Sequence, residues 1–375
     1  MIKAYKTRIN PTDEQIDIIE RTFGVCRYVY NMYLHYNIQY YKENKKFITG
    51  YDFSKYLNNE FRTKNTDKKW ITEVSSKAVK QSIMNGEKAF KNFFKGITKF
   101  PRFKKKNQNE SFYLIGAIKV FRNKIQLPTL KKVQLCEMNY IPKNIKIISC
   151  TVSKQAGFYY VSCIVDEDTT QEMPSGDGIG IDLGLKEFAV ISNNKVYKNI
   201  NKSSKIKKIE RKLKREQRRL SRKLKKKGGN ATHKNLDKQK IKVQKVYRRL
   251  ANIRTDYLNK VVYDIAKTKP KYITIEDLNI KGMMKNRHLS KSIQQQKFYE
   301  FSTKLLNKCK EFNIELRIVD RFFPSSKTCS QCGSVKQVLQ LKERIYKCEC
   351  CGLIIDRDLN ASINLKNAER YKIAQ

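Results

Sequence analysis

Histidine is scarce in this chain of 375 residues, which contains three of them. His35, His233 and His288 lie far apart in the sequence, so chemistry that depends on paired histidines, including single-strand transfer by a tyrosine transposase, is hard to assemble. The chain also lacks an apolar run of about 18 residues, the length that a membrane span requires. Residues 1–6 lack the apolar core of a secretory signal peptide. These absences predict a soluble, intracellular protein whose chemistry uses carboxylates or metals.

Acidic residues are also few. The chain has 35 Asp and Glu against 80 Lys and Arg, which leaves a formal net charge of +45. Such a surplus repels itself in a compact state, and a polyanion with many phosphates is the simplest partner that neutralises it. A content of 40% apolar and 11% aromatic residues excludes wholesale disorder and suffices for two or three domain cores. The composition therefore predicts a globular protein that binds nucleic acid.

The first hundred residues combine one strand-like segment with helical periodicity. Residues 1–10 alternate apolar and polar side chains, as a half-buried strand does. Thr12 and Gln15 have the spacing of a capping box, which predicts that a helix begins just after Pro11. Gly24 suits a helix C-terminus, so we expect the helix to end there and a second, tyrosine-rich helix to follow. Helical spacing of apolar residues continues to about residue 100.

A basic connector and a β-rich segment come next. Residues 99–106 combine lysine and arginine with aromatic side chains. Between residues 111 and 166, apolar runs of five to eight residues alternate with turn signals, and Ala156-Gly157 is typical of a hairpin turn. The pattern predicts a small antiparallel β unit, which the first strand could join, and residues 174–178 predict a linker to a new domain. Nucleic-acid contacts are predicted for the connector residues Arg102, Lys104, Lys105 and Lys106.

A strongly basic helical segment follows the linker. Residues 202–227 contain 15 Lys and Arg against two acids, a balance of +13. Apolar residues from Ile206 to Leu224 keep heptad spacing and the spacing resumes after Gly228-Gly229, so residues 202–265 predict a helical hairpin with a narrow apolar seam. A solvated helical face is the alternative, but the excess of one sign favours contact with a phosphate backbone. The predicted contacts are Lys207, Lys208, Arg211, Lys212, Arg215, Arg218, Arg219 and Arg222.

The ten cysteines fall into two groups. Five are scattered through apolar stretches and are predicted to be buried thiols, whereas five lie between Cys329 and Cys351. In this cluster Cys329 and Cys332 are followed by glycine, and so are Cys348 and Cys351, which lets each pair bind one ion from a tight turn. The second glycine favours Cys351 over Cys350 as the fourth ligand. Four thiolates leave no position for water or substrate, so the spacing predicts a structural zinc ion rather than unliganded surface thiols.

Three acids have positions that suggest metal chemistry. Asp182 and Glu276 each end an apolar run that predicts a strand, and a buried carboxylate is costly unless it binds a metal or pairs with a charge. The third comes just after the cysteine cluster, where a helix is predicted to begin and where Asp356 and Asp358 are both candidates. Together such acids could hold two divalent cations for phosphodiester cleavage, without histidine. Taken singly, each acid could equally be a strand-end or helix-cap residue paired with a lysine.

Several short motifs occur in a fixed order along nearly the whole chain. They are Tyr5–Thr12, Pro101–Lys104, Gly180–Gly184, Ile275–Leu278, Asn286–Ser290, Ser326–Gly333, Cys348–Gly352 and Asp356–Ala361. This order and spacing resembles the TnpB family, whose members are transposon-encoded, RNA-guided DNA endonucleases similar to compact type V CRISPR effectors. The combination is highly specific.

The resemblance implies an α+β multidomain protein. It has an RNase H-like RuvC nuclease domain with an inserted basic helical hairpin and an inserted zinc ribbon, preceded by a wedge-like β-barrel domain that carries a helical recognition domain. The implied boundaries are 1–10 and 111–172 for the wedge-like barrel, 11–110 for the recognition domain, 179–326 and 353–375 for the nuclease domain, 202–265 for the hairpin and 327–352 for the ribbon.

The resemblance also implies the activity, which is linked to transposition and DNA recombination. The protein would bind a transposon-derived guide RNA and cleave complementary double-stranded DNA next to a short flanking motif. Asp182, Glu276 and Asp358 would be the catalytic acids that bind magnesium, and zinc would be structural. Asp358 is preferred to Asp356 because the third acid of the family lies two residues before an Asn-Ala pair, here Asn360-Ala361.

Two other functions remain as alternatives. One is a guide-bound regulator that occupies DNA without cutting it, although a pure binder has no need for three acids in a basic protein. The other is a guide-independent, structure-specific nuclease with the same RNase H-like core, for which the units before Gly178 are excessive. Guide RNA and double-stranded DNA are therefore the expected partners, with no membrane partner and no identifiable protein partner. The expected location is the cytoplasm, with nucleoid association through DNA binding.

Overall fold

A computed structural model describes residues 1–167, 173–225, 233–340 and 342–374. The chain divides into two compact units, Met1–Asp168 and Thr169–Gln375. Each unit combines helices with a β-sheet, as expected for an α+β protein. None of the helices in the described ranges has the length and hydropathy that spanning a bilayer requires.

The first unit contains a seven-stranded antiparallel sheet. Its strands are β1 (Ile2–Asn10), β2 (Ser111–Leu114), β3 (Lys119–Val120), β4 (Lys124–Leu127), β5 (Lys131–Leu135), β6 (Lys146–Gln155) and β7 (Phe158–Asp166), in the spatial order β2-β6-β7-β1-β5-β4-β3. The predicted first strand is confirmed, and it pairs with both β7 and β5. The hairpin at Ala156-Gly157 is confirmed too, and both residues have the positive φ (53° and 78°) that a tight hairpin turn uses.

Helices occupy the segment between β1 and β2. They are α1 (Asp13–Asn44), α2 (Gly50–Tyr56), α3 (Arg62–Lys64) and α4 (Ser76–Phe94), with a π-helical turn at Leu57–Phe61 and a 3₁₀ segment at Thr66–Thr72. The capping box is confirmed, since the Thr12 side chain accepts from Gln15 N while the Gln15 side chain accepts from Thr12 N. Phe23 of α1 packs in the core of the sheet, and Tyr33 packs in the core of the helices.

The prediction that the first helix ends at Gly24 is wrong. α1 continues through Gly24 to Asn44 as one helix. Buried side chains on both sides, such as Phe23 and Val29, extend the packed face, and this packing outweighs the roughly 1 kcal/mol by which glycine disfavours a helix interior relative to alanine. Neighbouring atoms do not require glycine here, because an added Cβ would have its nearest contact, Arg27 Nη2, at 4.0 Å.

The second unit is built on a mixed six-stranded sheet with a separate two-stranded ribbon. The sheet strands are β8 (Ile179–Leu183), β9 (Glu187–Ile191), β10 (Val196–Lys198), β11 (Tyr272–Glu276), β12 (Glu315–Val319) and β15 (Lys372–Ile373), and the ribbon strands are β13 (Ile345–Lys347) and β14 (Ile354–Asp356). The sheet order is β10-β9-β8-β11-β12-β15. β8 is antiparallel to β9 but parallel to β11, so β8 and β11 end at the same edge of the sheet.

Helices pack on both faces of this sheet. The helices of the second unit are α5 (Ser204–Lys225), α6 (His233–Ala266), α7 (Ile280–Met283), α8 (Ser290–Gln296), α9 (Phe298–Glu311) and α10 (Arg357–Lys366), of which α5 packs on α6 rather than on the sheet. α6 and α9 form an apolar core with Ile181 of β8 and Ile275 of β11. Because side chains alternate along a strand, Asp182 and Glu276 belong to the opposite face, against which α10 packs.

α5 and α6 pack against each other as an antiparallel pair. Ile206 and Ile209 of α5 contact Val246 and Leu250 of α6 in a small apolar core. The predicted seam does not extend to Leu224, whose exposed fraction is 45%. A buried polar pair interrupts the seam first, since Gln239 Nε2 donates to Glu216 Oε2 (2.8 Å) and to the Glu216 carbonyl oxygen (3.1 Å). The predicted break at Gly228-Gly229 lies outside the described residues.

Candidate functional site

Two acids lie at the ends of neighbouring parallel strands. Asp182 is the fourth of the five residues of β8, and Glu276 is the last residue of β11. Ile181 is paired with Ile275, so the next residues on the two strands, Asp182 and Glu276, are neighbours on the same face. Asp358 lies in the first turn of α10, which packs against that face. The fold therefore brings three acids from three separate segments to one edge of the sheet.

The carboxylates of Glu276 and Asp358 perturb that of Asp182. Burial raises the pKa of Asp182 to about 8, and the negative charges of Glu276 and Asp358 contribute to the increase. Burial also raises the pKa of Glu276 and that of Asp358. The positive charge of Arg357 offsets the effect on Asp182 only in part. A buried site with an excess of negative charge and oxygen ligands suits a divalent cation such as Mg²⁺.

Asp356 and Asp358 occupy different environments. Asp356 is exposed and caps α10, because its Oδ1 accepts hydrogen bonds from Asp358 N (2.9 Å) and Leu359 N (3.1 Å). Asp358 is half-buried, and its charge affects the pKa of Asp182 more than that of Asp356 does. The geometry therefore favours Asp358 as the partner of Asp182 and gives Asp356 a capping role.

Gly180 allows α10 to approach the sheet closely. It lies two residues before Asp182 on the same face of β8. A Cβ added to Gly180 would lie 2.1 Å from the Ser362 carbonyl oxygen and 2.4 Å from the Lys366 backbone nitrogen. Backbone atoms of α10 occupy this space, so only glycine fits without moving the helix that carries Asp358.

We expect the Gly180→Ala variant to lose about 1–3 kcal/mol of unfolding free energy in the second unit, since the added methyl group must displace α10. Urea unfolding followed by circular dichroism measures the change. Gly24→Ala is the matched control, because the nearest contact of its Cβ is at 4.0 Å and its helix propensity improves by about 1 kcal/mol. A Gly180→Ala protein as stable as the wild type would contradict the proposed role of this contact.

Two asparagines of α10 bind the segment that enters the cysteine cluster. Asn364 Nδ2 donates to the carbonyl oxygens of Ser325 (2.7 Å) and Thr328 (2.6 Å), and Asn360 Nδ2 donates to that of Thr328 (2.7 Å). In return, Ser330 N donates to Asn360 Oδ1 at 3.0 Å. Both asparagine side chains are buried, so these bonds attach α10 firmly to residues 325–330.

Ser325 connects this segment to the acids. Its Oγ donates a hydrogen bond to Glu276 Oε1 and opposes the burial that raises the pKa of Glu276. The roles of Ser325, Asn360 and Asn364 were not predicted from the sequence. The available signal was the i, i+4 spacing of the two asparagines on α10 next to apolar Leu365, because polar side chains on a buried helical face need hydrogen-bond partners.

Four cysteines form a compact group of sulfur atoms. The Sγ atoms of Cys329, Cys332, Cys348 and Cys351 all lie within 4.8 Å of one another. The distance is 3.6 Å between Cys329 and Cys351 and also 3.6 Å between Cys332 and Cys348. Tetrahedral zinc with Zn–S bonds of about 2.3 Å separates its sulfur ligands by about 3.8 Å, so the spacing fits zinc. Cys350 is exposed and lies outside this group.

The two turns of the cluster support the sulfur atoms. Gly333 and Gly352 have positive φ of 77° and 72°, which lets the backbone fold back after each cysteine pair. Ser334 Oγ lies 3.3 Å from Cys332 Sγ and 3.2 Å from Cys348 Sγ. This hydroxyl lowers the pKa of Cys332 and lowers that of Cys348 to about 5. Ser334 thus stabilises the thiolate forms of Cys332 and Cys348, the forms that bind metals.

Basic residues cover the exposed surface of α5. All eight residues predicted there to bind nucleic acid are exposed. The two acids of the segment already have partners, since Glu210 pairs with Arg254 and Glu216 with Arg219, both at 2.9 Å. α5 consequently presents a large excess of positive charge to solvent.

The connector presents three of its four predicted residues to solvent, and the exception is Lys104. Lys104 Nζ lies 4.3 Å from the centroid of the Tyr30 ring, and burial lowers its pKa. Its backbone N donates to Asn31 Oδ1 (2.7 Å), and its carbonyl oxygen accepts from Asn31 Nδ2 (3.0 Å). Lys104 therefore anchors the connector on α1, while Lys105 and Lys106 extend into solvent.

Three segments of the chain match known families. Residues 160–287 match a family described as "Probable transposase", and residues 298–365 match one described as "Cas12f1-like, TNB domain". Residues 1–46 match a family described as "Helix-turn-helix domain". In this protein residues 1–46 contain β1 and α1, a strand followed by one long helix.

The chain is also similar to whole proteins. It is 32% identical over 370 residues to "Putative RNA-guided DNA endonuclease" of Streptomyces pristinaespiralis, covering 97% of this chain and 88% of the relative. It is 29% identical over 392 residues to the similarly named InsQ protein of Escherichia coli (strain K12), covering 100% of this chain and 94% of the relative. It shares its fold with a chain from the cryo-EM structure of the Cas12f1-sgRNA-target DNA complex, with a TM-score of 0.65, 14% identity and 99% of both chains covered.

Proposed function

This chain belongs to the TnpB family of RNA-guided DNA endonucleases, and from that membership we propose that it binds a guide RNA and cleaves complementary double-stranded DNA beside a short flanking motif. The observation that carries the proposal is the group of three carboxylates at the ends of β8 and β11 and the start of α10. In RNA-guided recognition, base pairing reads the sequence while the protein holds the nucleic-acid backbones. Its place of action is then the cytoplasm, on the DNA of the nucleoid.

We assign Asp182, Glu276 and Asp358 to the catalytic magnesium site. The donor set fits, since all three offer carboxylate oxygens and, besides burial, the charges of Glu276 and Asp358 raise the pKa of Asp182, a repulsion that a divalent cation would offset. Magnesium bound there supplies activation of water and stabilisation of the leaving oxygen in phosphodiester hydrolysis. The protein holds the carboxylates in place through the register of β8 with β11 and the close packing of α10 on Gly180.

The sheet of the second unit supports an RNase H-like RuvC assignment. Its central strand β8 is antiparallel to β9 and parallel to β11. The parallel strands β8 and β11 each carry an acid at the same edge of the sheet. Within this assignment the four-cysteine turns and β13 form the structural zinc ribbon, and the antiparallel sheet of the first unit corresponds to the wedge-like barrel. The proposed boundaries are those expected from the resemblance. They are 1–10 and 111–172 for the wedge-like barrel, 11–110 for the recognition domain, 179–326 and 353–375 for the nuclease domain, 202–265 for the hairpin and 327–352 for the zinc ribbon.

The basic surfaces have a role in the same proposal. The exposed side chains on α5 and on the connector contact phosphates of the guide RNA and its DNA target. Such contacts fix the position of the nucleic acid but carry no sequence information, which is left to pairing with the guide. Lys104 is the exception, with a structural role at Tyr30 and Asn31.

The proposed function is tested by expressing the protein with its own locus, sequencing the RNA that copurifies, and incubating the complex with a matched duplex that has randomised flanks. We expect one discrete RNA, and magnesium-dependent cuts only in the matched duplex and only with one flanking motif. A duplex of the same length with a scrambled target is the control. Copurification of no discrete RNA would favour a guide-independent nuclease, whereas specific occupancy without strand breaks would favour a regulator.

A further inference from the structure

A cavity of about 430 Å³ lies beside α1 in the first unit. Gly24, Tyr28 and Asn31 of α1 line one side of it, and Trp70 of the 3₁₀ segment lines another. The volume is within the range of pockets that bind small organic groups. This cavity has no role in the guide binding and DNA cleavage proposed above.

Gly24 keeps this cavity open. A glycine inside a helix is unfavourable, yet Gly24 does not end α1, and no neighbouring atom requires its lack of a side chain. A longer side chain at this position would extend into the open space that forms the cavity. The space that Gly24 leaves open thus accounts for a glycine in the interior of α1.

Aromatic side chains form part of the wall. The rings of Tyr28 and Trp70 meet edge to face, with centroids 5.0 Å apart and planes at 69°. Both residues are half-buried, so each ring is supported by the protein while part of its surface stays accessible. Such rings provide a platform on which a flat heteroaromatic group can stack.

The charged groups of the cavity are already paired. Arg21 bonds Asp17 at 2.5 Å and lies 3.6 Å from Glu73, and Arg27 bonds Glu110 at 3.1 Å. The wall therefore offers N–H donors and carboxylate acceptors without a surplus of positive charge. This chemistry suits an uncharged ring with donors and acceptors along its edge better than it suits a phosphate.

Positive charge lies next to the cavity instead. Asn31, which lines the cavity, binds the backbone of Lys104 through both atoms of its amide. Lys105 and Lys106 follow directly and are exposed. A nucleotide whose base entered the cavity would therefore have lysines available for its phosphates.

We propose that this cavity binds one unpaired nucleobase of the guide RNA or of the DNA, with the adjoining phosphates on Lys105 and Lys106. The proposal rests on the proposed function, because it takes a nucleic acid as the ligand. It adds a base-binding site to a protein whose other predicted contacts are all to phosphates.

Tryptophan fluorescence tests the proposal directly, since Trp70 is the only tryptophan in the chain. The full-length protein is titrated with hexamers of oligoadenylate as RNA and as DNA, and with abasic hexamers of the same backbones. We expect the base-bearing hexamers to quench the emission of Trp70 and to bind more tightly than the abasic ones. Quenching by RNA alone assigns the base to the guide, and quenching by DNA alone assigns it to the target.

Variants of the cavity provide a second measurement. Trp70→Ala should weaken binding of the base-bearing hexamer by about 5- to 150-fold, as expected for loss of one stacked base, without changing binding of the abasic hexamer. Gly24→Leu should abolish the quenching by filling the cavity while it strengthens the helix, so misfolding would not explain the loss. Tyr299→Ala, which removes an exposed aromatic side chain elsewhere with 76% of its surface accessible, is the control and should bind as the wild type does.

Two results would overturn the inference. Equal binding of abasic and base-bearing hexamers with unchanged Trp70 emission would show that phosphates alone are bound, and the RNA-guided function would stand. Wild-type affinity of Gly24→Leu for the base-bearing hexamer would likewise exclude the cavity. Absence of binding to every hexamer at low salt would instead contradict the nucleic-acid function itself.

Discussion

The Asp182→Asn protein is expected to bind guide RNA and target DNA as the wild type does, but to cut the DNA more than about 100-fold more slowly. Asparagine keeps the size of the side chain and removes the negative charge with which the carboxylate would bind the metal. Loss of a partner in the outer shell of a metal site already costs about 10–100-fold, and loss of a direct ligand costs more. Single-turnover cleavage of a matched duplex measures the rate, and a gel shift with the same duplex measures binding.

The two acids at the start of α10 provide the matched pair for this experiment. Asp358→Asn should lose cleavage as Asp182→Asn does. Asp356→Asn should keep cleavage and stability. The Asp356 side chain accepts hydrogen bonds from the backbone N–H groups of Asp358 and Leu359, and asparagine caps a helix in this way about as well as aspartate does. An inactive Asp356→Asn together with an active Asp358→Asn would reverse the assignment. Cleavage by Asp182→Asn at the wild-type rate would remove the acids from the mechanism altogether.

Removal of zinc is expected to unfold the four-cysteine ribbon. The apolar core of this region is small, with Tyr346 as its only large buried side chain among the described residues. A core of that size cannot fold the segment alone, whereas structural zinc binding supplies about 10–16 kcal/mol in small peptides. We expect one zinc per chain by atomic emission, and we expect strong chelation or Cys351→Ser to expose residues 327–352 to limited proteolysis.

Cys350→Ser is the control for this experiment, because Cys350 is exposed and lies outside the group of four sulfur atoms. It should keep its zinc and its resistance to protease. If instead Cys350→Ser loses zinc and Cys351→Ser retains it, the fourth ligand has been assigned to the wrong cysteine.

Loss of zinc should also slow DNA cleavage, although the cysteines are not expected to touch DNA. Thr328 and Ser330, which flank Cys329, hold Asn360 and Asn364 of α10, and Ser325 bonds Glu276. A disordered ribbon would release these bonds and loosen the helix that carries Asp358. We therefore expect the ribbon to support the acid site as well as to fold as a unit.

Features with a local cause were predictable from the sequence. The cysteine pairs and the glycines after them lie within a few residues of each other, so their spacing alone predicts a turn that can bind a metal. The capping box of α1 and the hairpin turn at Ala156-Gly157 are likewise determined by neighbouring residues. Each of these motifs depends on residues that are close together in the chain.

Features that depend on packing between distant segments were predicted poorly. Gly24 was expected to end a helix, but the cores on either side of it keep α1 continuous. Leu224 was expected in the apolar seam, yet the buried pair of Glu216 and Gln239 takes up the seam before it. At Gly24 a local helix propensity of about 1 kcal/mol is overruled by packing, and at Leu224 the heptad pattern is overruled by a buried polar pair.

By itself the sequence determined the chemistry that is available: a large positive charge for phosphates, four thiolates for zinc, and a few acids at the ends of apolar strands. Only the tertiary structure decided how these groups are combined. The parallel register of β8 and β11 makes Asp182 and Glu276 neighbours, the contact at Gly180 brings in Asp358, and the asparagines of α10 connect that helix to the cysteine turns. Carboxylates repel one another and are costly to bury, so no local preference of the chain would gather them, and the packing energy of the whole unit holds them together.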